Sequence, residues 1–471
     1  MPLFVLLTLI VLHALVALPL SASLLRQRFE PGAMLVWLLL ILFVPFVGAL
    51  AYARMGENRV MLRAQRKRGT CGRPRIPAGE WVEKTATLGT FRTAAEVGTK
   101  LAGALVTRGN RYALYSDSDA IHESWKEAIR GANESIHMEY YIWWPDETGT
   151  ELRDLLIERA AAGITCRVLM DAVGSLTQNQ TFLQPFLDAG VHVAFFLPLA
   201  TWKRRWSPHL RNHRKILVVD GSIGFIGSQN VSDDDRGRNP RYPLWHNVHM
   251  QLEGPAVNHL QAIFLDDWRF ASEETPTDHP APIPLSEDNG HAVQILPTGP
   301  DCQDHVLERL LLEAFNGARQ TLDIVTPYFV PSPVLRMALL QAALRGVRVR
   351  IVIPSSTDQP LALYAGRSFY AELLEEGVEI YEYSTGMIHS KLIVVDTAWS
   401  MVGSANLDYR SLRLNFEVSA LLYDAEPAEE LTRIIDGYAE TATQVVEADL
   451  ARKRTFRHIL EGAARVLSPQ L

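Results

Sequence analysis

One sequence pattern occurs twice in this chain of 471 residues. Each copy contains a histidine, a lysine, an aspartate and a Gly-Ser-x-Asn tail at the same spacing. The residues concerned are His213, Lys215, Asp220, Gly227, Ser228 and Asn230 in the first copy and His389, Lys391, Asp396, Gly403, Ser404 and Asn406 in the second. A motif repeated with identical spacing indicates an internal duplication, so the chain should fold as two equivalent units.

The segments between the lysine and the aspartate of each copy are apolar and rich in β-branched residues. Ile216–Val219 and Leu392–Val395 therefore predict buried strands. Side chains alternate between the two faces of a strand, so the histidine and the lysine of each copy should lie on the same face. A turn and a second short strand, Gly224–Gly227 or Ser400–Gly403, would then deliver the serine and the asparagine from its end.

The duplication extends well beyond the motifs. A helix-like segment, Ala120–Gly131, precedes the apolar strand Ser135–Trp143 in the same way as Val306–Gly317 precedes Thr321–Val330. Strands that alternate with helices in both halves are typical of an α/β fold. We expect two repeats related by a pseudo-two-fold axis, each with a mixed β-sheet flanked by helices.

The motif side chains suit chemistry at a phosphate group. Lysine supplies positive charge, serine and asparagine supply neutral donors, and histidine is a nucleophile or proton carrier near neutral pH. Displacement at phosphorus through a covalent intermediate needs one group that attacks and another that protonates the leaving oxygen from the opposite side. We therefore expect His213 and His389 to flank one phosphorus atom.

A zinc site is an alternative use of the histidines. Its candidate ligands are His209, His213, His246 and His249. The doubled motif contains no carboxylate cluster of the kind that binds metals, which disfavours this interpretation. We expect neither a metal nor another cofactor.

Charge and cysteine content exclude other classes of protein. The formal net charge is −7, which argues against a nucleic-acid binder with a broad basic surface. The three cysteines are too few and too scattered for a disulfide framework, so a reducing compartment fits the chain.

The first 55 residues differ in composition from the rest. Leu3–Leu25 contains no acidic residue, lysine or arginine, and Ala33–Ala53 is uncharged, so each is long enough to cross a bilayer as a helix. The short polar segment between them predicts a hairpin. A signal peptide is the alternative for the first span, but its start lacks positive charge. Basic residues dominate 54–75, and by the positive-inside rule both termini should be cytoplasmic.

Two basic segments each allow two interpretations. Trp202–Trp206 contains two tryptophans around a basic triplet and is either a lip that contacts anionic headgroups or a solvated loop. Arg452–Val466 is either an interfacial amphipathic helix or an ordinary surface helix.

The doubled motif resembles the HKD signature of the phospholipase D superfamily, and the chain is similar over nearly its full length to the bacterial cardiolipin synthases of that superfamily. Besides the motifs and the apolar spans, the resemblance rests on Glu139–Tyr141, Thr326–Pro331 and Leu467–Pro469. It implies a phosphatidyltransferase that joins two phosphatidylglycerol molecules through a phosphatidyl-histidine intermediate and releases glycerol. The alternatives are a phospholipase D hydrolase, a transferase with phosphatidylethanolamine as donor, and an inactive membrane scaffold.

The resemblance also implies roles for the motif residues. The predicted catalytic residues are His213, Lys215, Asp220, His389, Lys391 and Asp396, and the predicted phosphate ligands are Ser228, Asn230, Ser404 and Asn406. Both aspartates end apolar strands, so a structural turn role is equally open to them.

A carboxylate beyond one motif orients the histidine of the other motif in enzymes of this kind. Carried over, Glu417 would support His213. The corresponding segment of the first half contains His246-Asn247, where related enzymes usually have Arg-Asp. Asn247 offers no charge to His389, and this asymmetry favours His213 as the nucleophile and His389 as the general acid and base.

Four regions are expected: a transmembrane hairpin at 1–56, a basic juxtamembrane linker at 57–108, and repeats at 109–285 and 286–471. The expected location is the bacterial inner membrane, with the catalytic domain on the cytoplasmic side. Membrane lipid is the expected partner and nucleic acid is not. The oligomeric state stays open.

Overall fold

The structure is a computed structural model that describes residues 3–26, 31–55, 85–198, 210–240, 244–283, 290–302, 305–448 and 455–466. The chain divides into two compact units, Met1–Gly69 and Thr70–Leu471. Several segments that the sequence singles out lie outside the described residues, namely the basic run at 59–75, the segment 202–206 with His209, and residues 452–454 and 467–469.

The first unit consists of three apolar helices, α1 (Leu3–Leu25), α2 (Pro31–Phe43) and α3 (Val47–Met55). Among the described residues, α1 contains the one helical stretch that is long and apolar enough to cross a bilayer, 19 residues from Leu7 to Leu25. Leu24 and Ile41 are fully buried in the small apolar cluster of this unit.

The second predicted span is two helices rather than one. A turn at 44–46 separates α2 from α3, because Pro45 lacks an N–H group and disfavours helical geometry in the residue before it. The imidazole of His13 lies at this break, with Nε2 3.1 Å from the carbonyl oxygen of Leu42 and Nδ1 3.4 Å from the backbone nitrogen of Phe46. His13 therefore satisfies backbone groups at a point where the helix is interrupted.

The second unit alternates helices and strands. Its α-helices are α4 (Arg92–Ala102), α5 (Ser118–Arg130), α6 (Glu147–Ala161), α7 (Gln180–Asp188), α8 (Ala256–Ser272), α9 (Val306–Gly317), α10 (Pro333–Leu344), α11 (Pro360–Arg367), α12 (Tyr370–Glu375), α13 (Tyr409–Arg413), α14 (Ala425–Thr441) and α15 (Thr455–Val466). Short 3₁₀ helices occupy Thr85–Phe91 and Asp234–Arg236.

The strands fall into two similar series along the chain. The first is β1 (Val106–Tyr115), β2 (Ser135–Tyr140), β3 (Thr165–Asp171), β4 (His192–Phe196), β5 (Lys215–Val219), β6 (Ile223–Gly227), β7 (Trp245–His246) and β8 (His249–Glu253). The second is β9 (His291–Thr298), β10 (Thr321–Val325), β11 (Arg348–Pro354), β12 (Glu379–Tyr383), β13 (Met387–Ile388), β14 (Leu392–Val395), β15 (Trp399–Gly403), β16 (Glu417–Leu422) and β17 (Thr443–Gln444).

The strand order confirms the predicted duplication. The main sheet has the order β17-β12-β11-β10-β14-β15-β16-β9-β1-β8-β6-β5-β2-β3-β4. In the first half β2, β3 and β4 are parallel and β5, β6 and β8 continue antiparallel. In the second half β10, β11 and β12 are parallel and β14, β15 and β16 continue antiparallel.

The two predicted sheets are joined into one. Strands β1 and β9 pair antiparallel, with Val106 opposite Gln294 and Thr107 opposite Val293, so backbone hydrogen bonds cross the boundary between the repeats. An apolar cluster that includes Ile216 of the first repeat and Leu392 of the second extends across the same boundary. Both motif strands are therefore held in one continuous structure.

Part of the predicted linker belongs to the second repeat. Within its described portion, Phe91, Ala94 and Ala95 are buried in the same apolar cluster as Leu310 and Phe315 of α9. This Gly- and Ala-rich segment was interpreted as a linker, but part of it forms the helix α4. Alanine favours helix formation, and its small side chain allows α4 to pack closely against α9.

Candidate active site

Each motif histidine is held against the opposite repeat by backbone hydrogen bonds. The backbone N–H of His213 donates to the carbonyl oxygen of Phe416, and that of His389 donates to the carbonyl oxygen of His246, both at 2.9 Å. Strand β13, which ends just before His389, also pairs in parallel with β7. The two motifs therefore exchange contacts in a symmetric way across the pseudo-two-fold axis.

The glycine of each motif permits a close approach of strands. A Cβ atom on Gly227 would lie 2.4 Å from the carbonyl oxygen of Val248, and one on Gly403 would lie 2.4 Å from that of Val418. Only glycine fits at these positions without a shift of the neighbouring strand. The following serine is thereby placed beside the residues that contact the opposite histidine.

Glu417 holds His213. The Nδ1 atom of His213 lies 2.9 and 3.0 Å from the two carboxylate oxygens of Glu417. The hydroxyls of Ser404 and Ser411 donate to the same carboxylate at 2.5 and 2.8 Å. Because a carboxylate only accepts hydrogen bonds, His213 carries its proton on Nδ1 and leaves Nε2 with a free lone pair.

Asn247 holds His389 in the corresponding way. The Nδ1 atom of His389 lies 3.1 Å from Asn247 Oδ1, and Ser228 donates its hydroxyl hydrogen to the same oxygen at 2.8 Å. The side-chain NH2 group of Asn247 donates to the carbonyl oxygen of Asp235 at 3.0 Å, which fixes the orientation of the amide. Both histidines therefore present Nε2 as the reactive atom.

Burial and neighbouring charges act on the protonation of both imidazoles. Burial lowers the pKa of His213 to about 4, although the charge of Glu417 opposes this shift. Burial also lowers the pKa of His389 well below its usual value, and the charges of Lys391, Lys215 and His213 lower it further. Burial disfavours the charged form of Glu417, yet the adjacent His213 keeps the pKa of this carboxyl below its ordinary value.

The positions and charges of the two lysines favour binding of an anion. Lys215 donates to the carbonyl oxygen of His213 at 2.8 Å, and Lys391 donates to that of His389 at 2.5 Å. Burial lowers the pKa of Lys215 to about 8, and burial together with the charge of Lys215 lowers the pKa of Lys391 well below its usual range. A negatively charged group between the two lysines would relieve this mutual repulsion.

The serines and asparagines of the motifs have protein partners in the structure. Ser228 and Ser404 donate to the side chains that hold the histidines, as described above, which gives them an orienting position instead of the predicted phosphate contact. Asn230 lies 3.3 Å from both carboxylate oxygens of Asp235 through its NH2 group. The backbone N–H of Asn406 donates to Ser411 at 3.1 Å, and the residue as a whole is 5% exposed.

The motif aspartates lie at the far ends of β5 and β14, away from the histidines. The carboxylate of Asp220 accepts the backbone N–H groups of Asn133, Glu134 and Ser135 at 2.7 to 2.9 Å. Asp396 accepts those of Arg319, Gln320 and Thr321 at 2.7 to 2.9 Å. The predicted catalytic role does not fit this geometry, and both residues instead fix the entry to a neighbouring strand.

Replacement of Asp220 by asparagine should reduce stability rather than catalysis. An amide retains one acceptor oxygen and turns a donor toward backbone N–H groups, so we expect a loss of about 1–3 kcal/mol in the free energy of unfolding. Denaturant unfolding and transfer rates measured on the same Asp220→Asn protein check this. A large fall in turnover with unchanged unfolding would contradict the structural assignment.

One residue of the site was missed by the sequence analysis. Asp235 is 2% exposed, and its Oδ1 atom lies 3.6 Å from Nδ1 of His389. A comparison of the two repeats by offset would have found it, because Asp235 and Ser411 both stand 22 residues after a motif histidine.

The alternative zinc interpretation gains no support from the described part of the chain. No group of three or more histidine, cysteine, aspartate or glutamate side chains there could hold a metal ion. The ring of His246 contacts the hydroxyl of Tyr383 at 2.9 Å, and His249 lies against Trp125 with ring centroids 5.1 Å apart. His209 lies outside the described residues.

Comparisons with known proteins cover nearly the whole chain. A family model described as cardiolipin synthase, PLD-like domain, matches residues 125–268 and 311–438, and one described as phospholipase D-nuclease N-terminal matches residues 15–57. The chain is 32% identical over 458 residues to cardiolipin synthase of Halalkalibacterium halodurans, which covers 94% of this chain and 90% of that protein. It is 32% identical over 476 residues to cardiolipin synthase 1 of Bacillus anthracis, which covers 98% and 93%.

A solved structure shares the fold at low sequence identity. The crystal structure of phosphatidylserine synthase from Haemophilus influenzae Rd KW20 superposes with a TM-score of 0.63 and 15% identity, and the match covers 81% of this chain and all of that one. At this identity the match supports the fold alone.

Proposed function

The chain belongs to the phospholipase D-like cardiolipin synthase family, and from this premise we propose that it transfers a phosphatidyl group from one phosphatidylglycerol to a second, with release of glycerol. The observation that carries the proposal is the crossed pair of buried histidines, each oriented by a side chain contributed outside its own motif segment.

His213 is the proposed nucleophile. Its Nδ1–H is held by Glu417, so Nε2 presents a lone pair to phosphorus. The positive charge that develops on the imidazole when Nε2 bonds to phosphorus is stabilised by the carboxylate of Glu417. The carboxylate of Glu417 is hydrogen-bonded to His213 at 2.9 Å, whereas the carboxylate of Asp235 lies 3.6 Å from His389, and this difference favours His213 as the nucleophile.

His389 is the proposed proton carrier. As the bond between phosphorus and the glycerol oxygen breaks, the electron pair stays on that oxygen and the proton on Nε2 of His389 moves to it. His389 then takes the hydroxyl proton of the second phosphatidylglycerol, whose oxygen attacks phosphorus and displaces Nε2 of His213. The bond formed resembles the bond broken, so the exchange needs no nucleotide.

Lys215 and Lys391 are the proposed ligands of the nonbridging phosphate oxygens. Both ammonium groups are buried, and the charge of Lys215 lowers the pKa of Lys391. Charge builds on these oxygens in the transition state, and pre-positioned cations in a site shielded from water stabilise it strongly. The amide groups of Asn230 and Asn406 are the proposed neutral ligands that complete the set.

The proposed setting is the cytoplasmic face of a bacterial inner membrane. The apolar helix α1 and the basic run at 54–75 support membrane attachment with this orientation. The apolar pair α2 and α3 would return the chain to the same side.

Product analysis tests the proposed reaction. Purified full-length protein in vesicles receives phosphatidylglycerol labelled in the headgroup glycerol and, separately, in the acyl chains. We expect one free glycerol for each cardiolipin formed. Phosphatidic acid with no cardiolipin would show hydrolysis instead, and turnover only after addition of phosphatidylethanolamine would identify another donor.

A further inference from the structure

A carboxylate close to His389 comes from a short 3₁₀ turn rather than from the segment that holds its amide partner. Asp235 lies in the turn Asp234–Arg236, is 2% exposed and approaches Nδ1 of His389 to 3.6 Å. The same nitrogen is 3.1 Å from Asn247 Oδ1. His389 thus faces one neutral acceptor and one buried acidic group.

The equivalent positions of the second repeat carry the opposite arrangement. The backbone N–H of Asn230 donates to Asp235 at 3.0 Å, and that of Asn406 donates to Ser411 at 3.1 Å, so Asp235 and Ser411 correspond. Ser228 donates to Asn247 and Ser404 donates to Glu417, so these two also correspond.

Each histidine therefore has one acidic and one neutral residue at this pair of positions. Around His213 the acid occupies the strand position and the hydroxyl occupies the turn position. Around His389 the acid occupies the turn position and the amide occupies the strand position. At these two pairs of positions, the acidic and the neutral residue are exchanged between the repeats.

The surroundings of His389 make a negative partner necessary. Lys391 on its own strand segment, and Lys215 and His213 from the first repeat, all disfavour a proton on this buried imidazole. An imidazole that must carry a proton to the leaving oxygen needs an opposing charge. Burial raises the pKa of Asp235, but the N–H of Asn230, the hydroxyl of Ser232 and the charge of Lys215 favour its ionised form.

We propose that Asp235 is a positioning residue that supplies the negative charge for His389, in place of the carboxylate that Asn247 lacks. This rests on the proposed function in one respect, the role of His389 as proton donor to the departing glycerol. In that step the phosphorus bond to Nε2 of His213 forms, the bond to the glycerol oxygen breaks, and the imidazolium of His389 beside Asp235 gives its proton to that oxygen.

An exchange of residues between the repeats provides the test. Asp235→Ser copies the residue at the equivalent position of the second repeat and retains an acceptor for the N–H of Asn230. We expect a kcat for glycerol release about ten- to a hundredfold lower, with little change in KM. Addition of Asn247→Asp to this variant returns a carboxylate to the strand position, and most of the lost rate should return. Asp234→Ser, in the same turn, is the matched control and should turn over as the wild type does.

Two outcomes would overturn the proposal. One is a wild-type rate in Asp235→Ser, and the other is a double variant no faster than the single one, because a merely structural loss in the turn would not be repaired at residue 247.

A phosphatidyl ester of p-nitrophenol adds an independent readout, since this leaving group departs without a proton. Asp235→Ser should release nitrophenol in the first turnover as fast as the wild type, and an equal slowing with both substrates would also refute the assignment.

Failure of the proposed function would look different. If the wild type formed phosphatidic acid instead of cardiolipin, the transfer reaction would be wrong, but glycerol release would still depend on His389. The rates of glycerol release by Asp235→Ser and by its double variant would then still test the role of Asp235.

Discussion

Alanine in place of His213 is expected to abolish phosphatidyl transfer, with a loss of at least about 10⁴-fold. The variant lacks the atom that bonds to phosphorus, and no neighbouring group replaces it, because Glu417 and Lys215 are held by their own hydrogen bonds. Cardiolipin formation from labelled phosphatidylglycerol measures the effect. His192→Ala, at an exposed position at the start of β4, is the matched histidine control and should remain fully active.

A comparison of phosphatidylglycerol with the p-nitrophenyl phosphatidyl ester distinguishes the roles of the two histidines. With the p-nitrophenyl ester, His389→Ala should still release one nitrophenol per enzyme and accumulate phosphatidyl-enzyme, because His213 is intact and the leaving group needs no proton. His213→Ala should do neither. The reverse pattern would assign the nucleophile to His389, and normal transfer by His213→Ala would end the proposed mechanism.

Glutamine in place of Glu417 is expected to reduce kcat by about 10³-fold. The carboxylate receives hydrogen bonds from His213, Ser404, Ser411 and Asn415, and an amide cannot accept all of them. The amide NH2 also permits the tautomer of His213 that carries its proton on Nε2, the atom that must attack. The charge that stabilises the phosphorylated imidazole is lost as well.

Glu376→Gln, at an exposed position after α12, is the matched control for this change. Initial rates should fall in Glu417→Gln at saturating substrate, with a small effect on KM, because the loss concerns the chemical step. Unfolding measurements should accompany the rates, since Glu417 is completely buried. A variant that folds normally and turns over within tenfold of wild type would show that the charge at residue 417 is dispensable.

The sequence was sufficient for those features that repeat along the chain. The doubled spacing around His213 and His389 predicted two equivalent α/β halves, and the comparison of β2–β6 with β10–β15 confirms it. The strand assignments followed from short apolar runs between polar residues, which have few alternatives when they recur with the same period.

Features that depend on packing between distant segments were not predicted. The union of the two sheets through β1 and β9 is a pairing of backbone groups and has no side-chain signature. Asp235 reaches His389 across 154 positions of the chain, and its role depends on the fold of the short turn that carries it. The interruption of the second apolar span did have a local signal, Pro45. The span was predicted from its length and lack of charge alone, and these do not reveal a helix break.

The join between β1 and β9 also limits how the enzyme can operate. Hydrogen bonds across this boundary, together with those from His213 to Phe416 and from His389 to His246, tie the two halves to each other. Any movement that separated the halves would have to break these backbone hydrogen bonds, so a wide opening of the site during turnover would be costly.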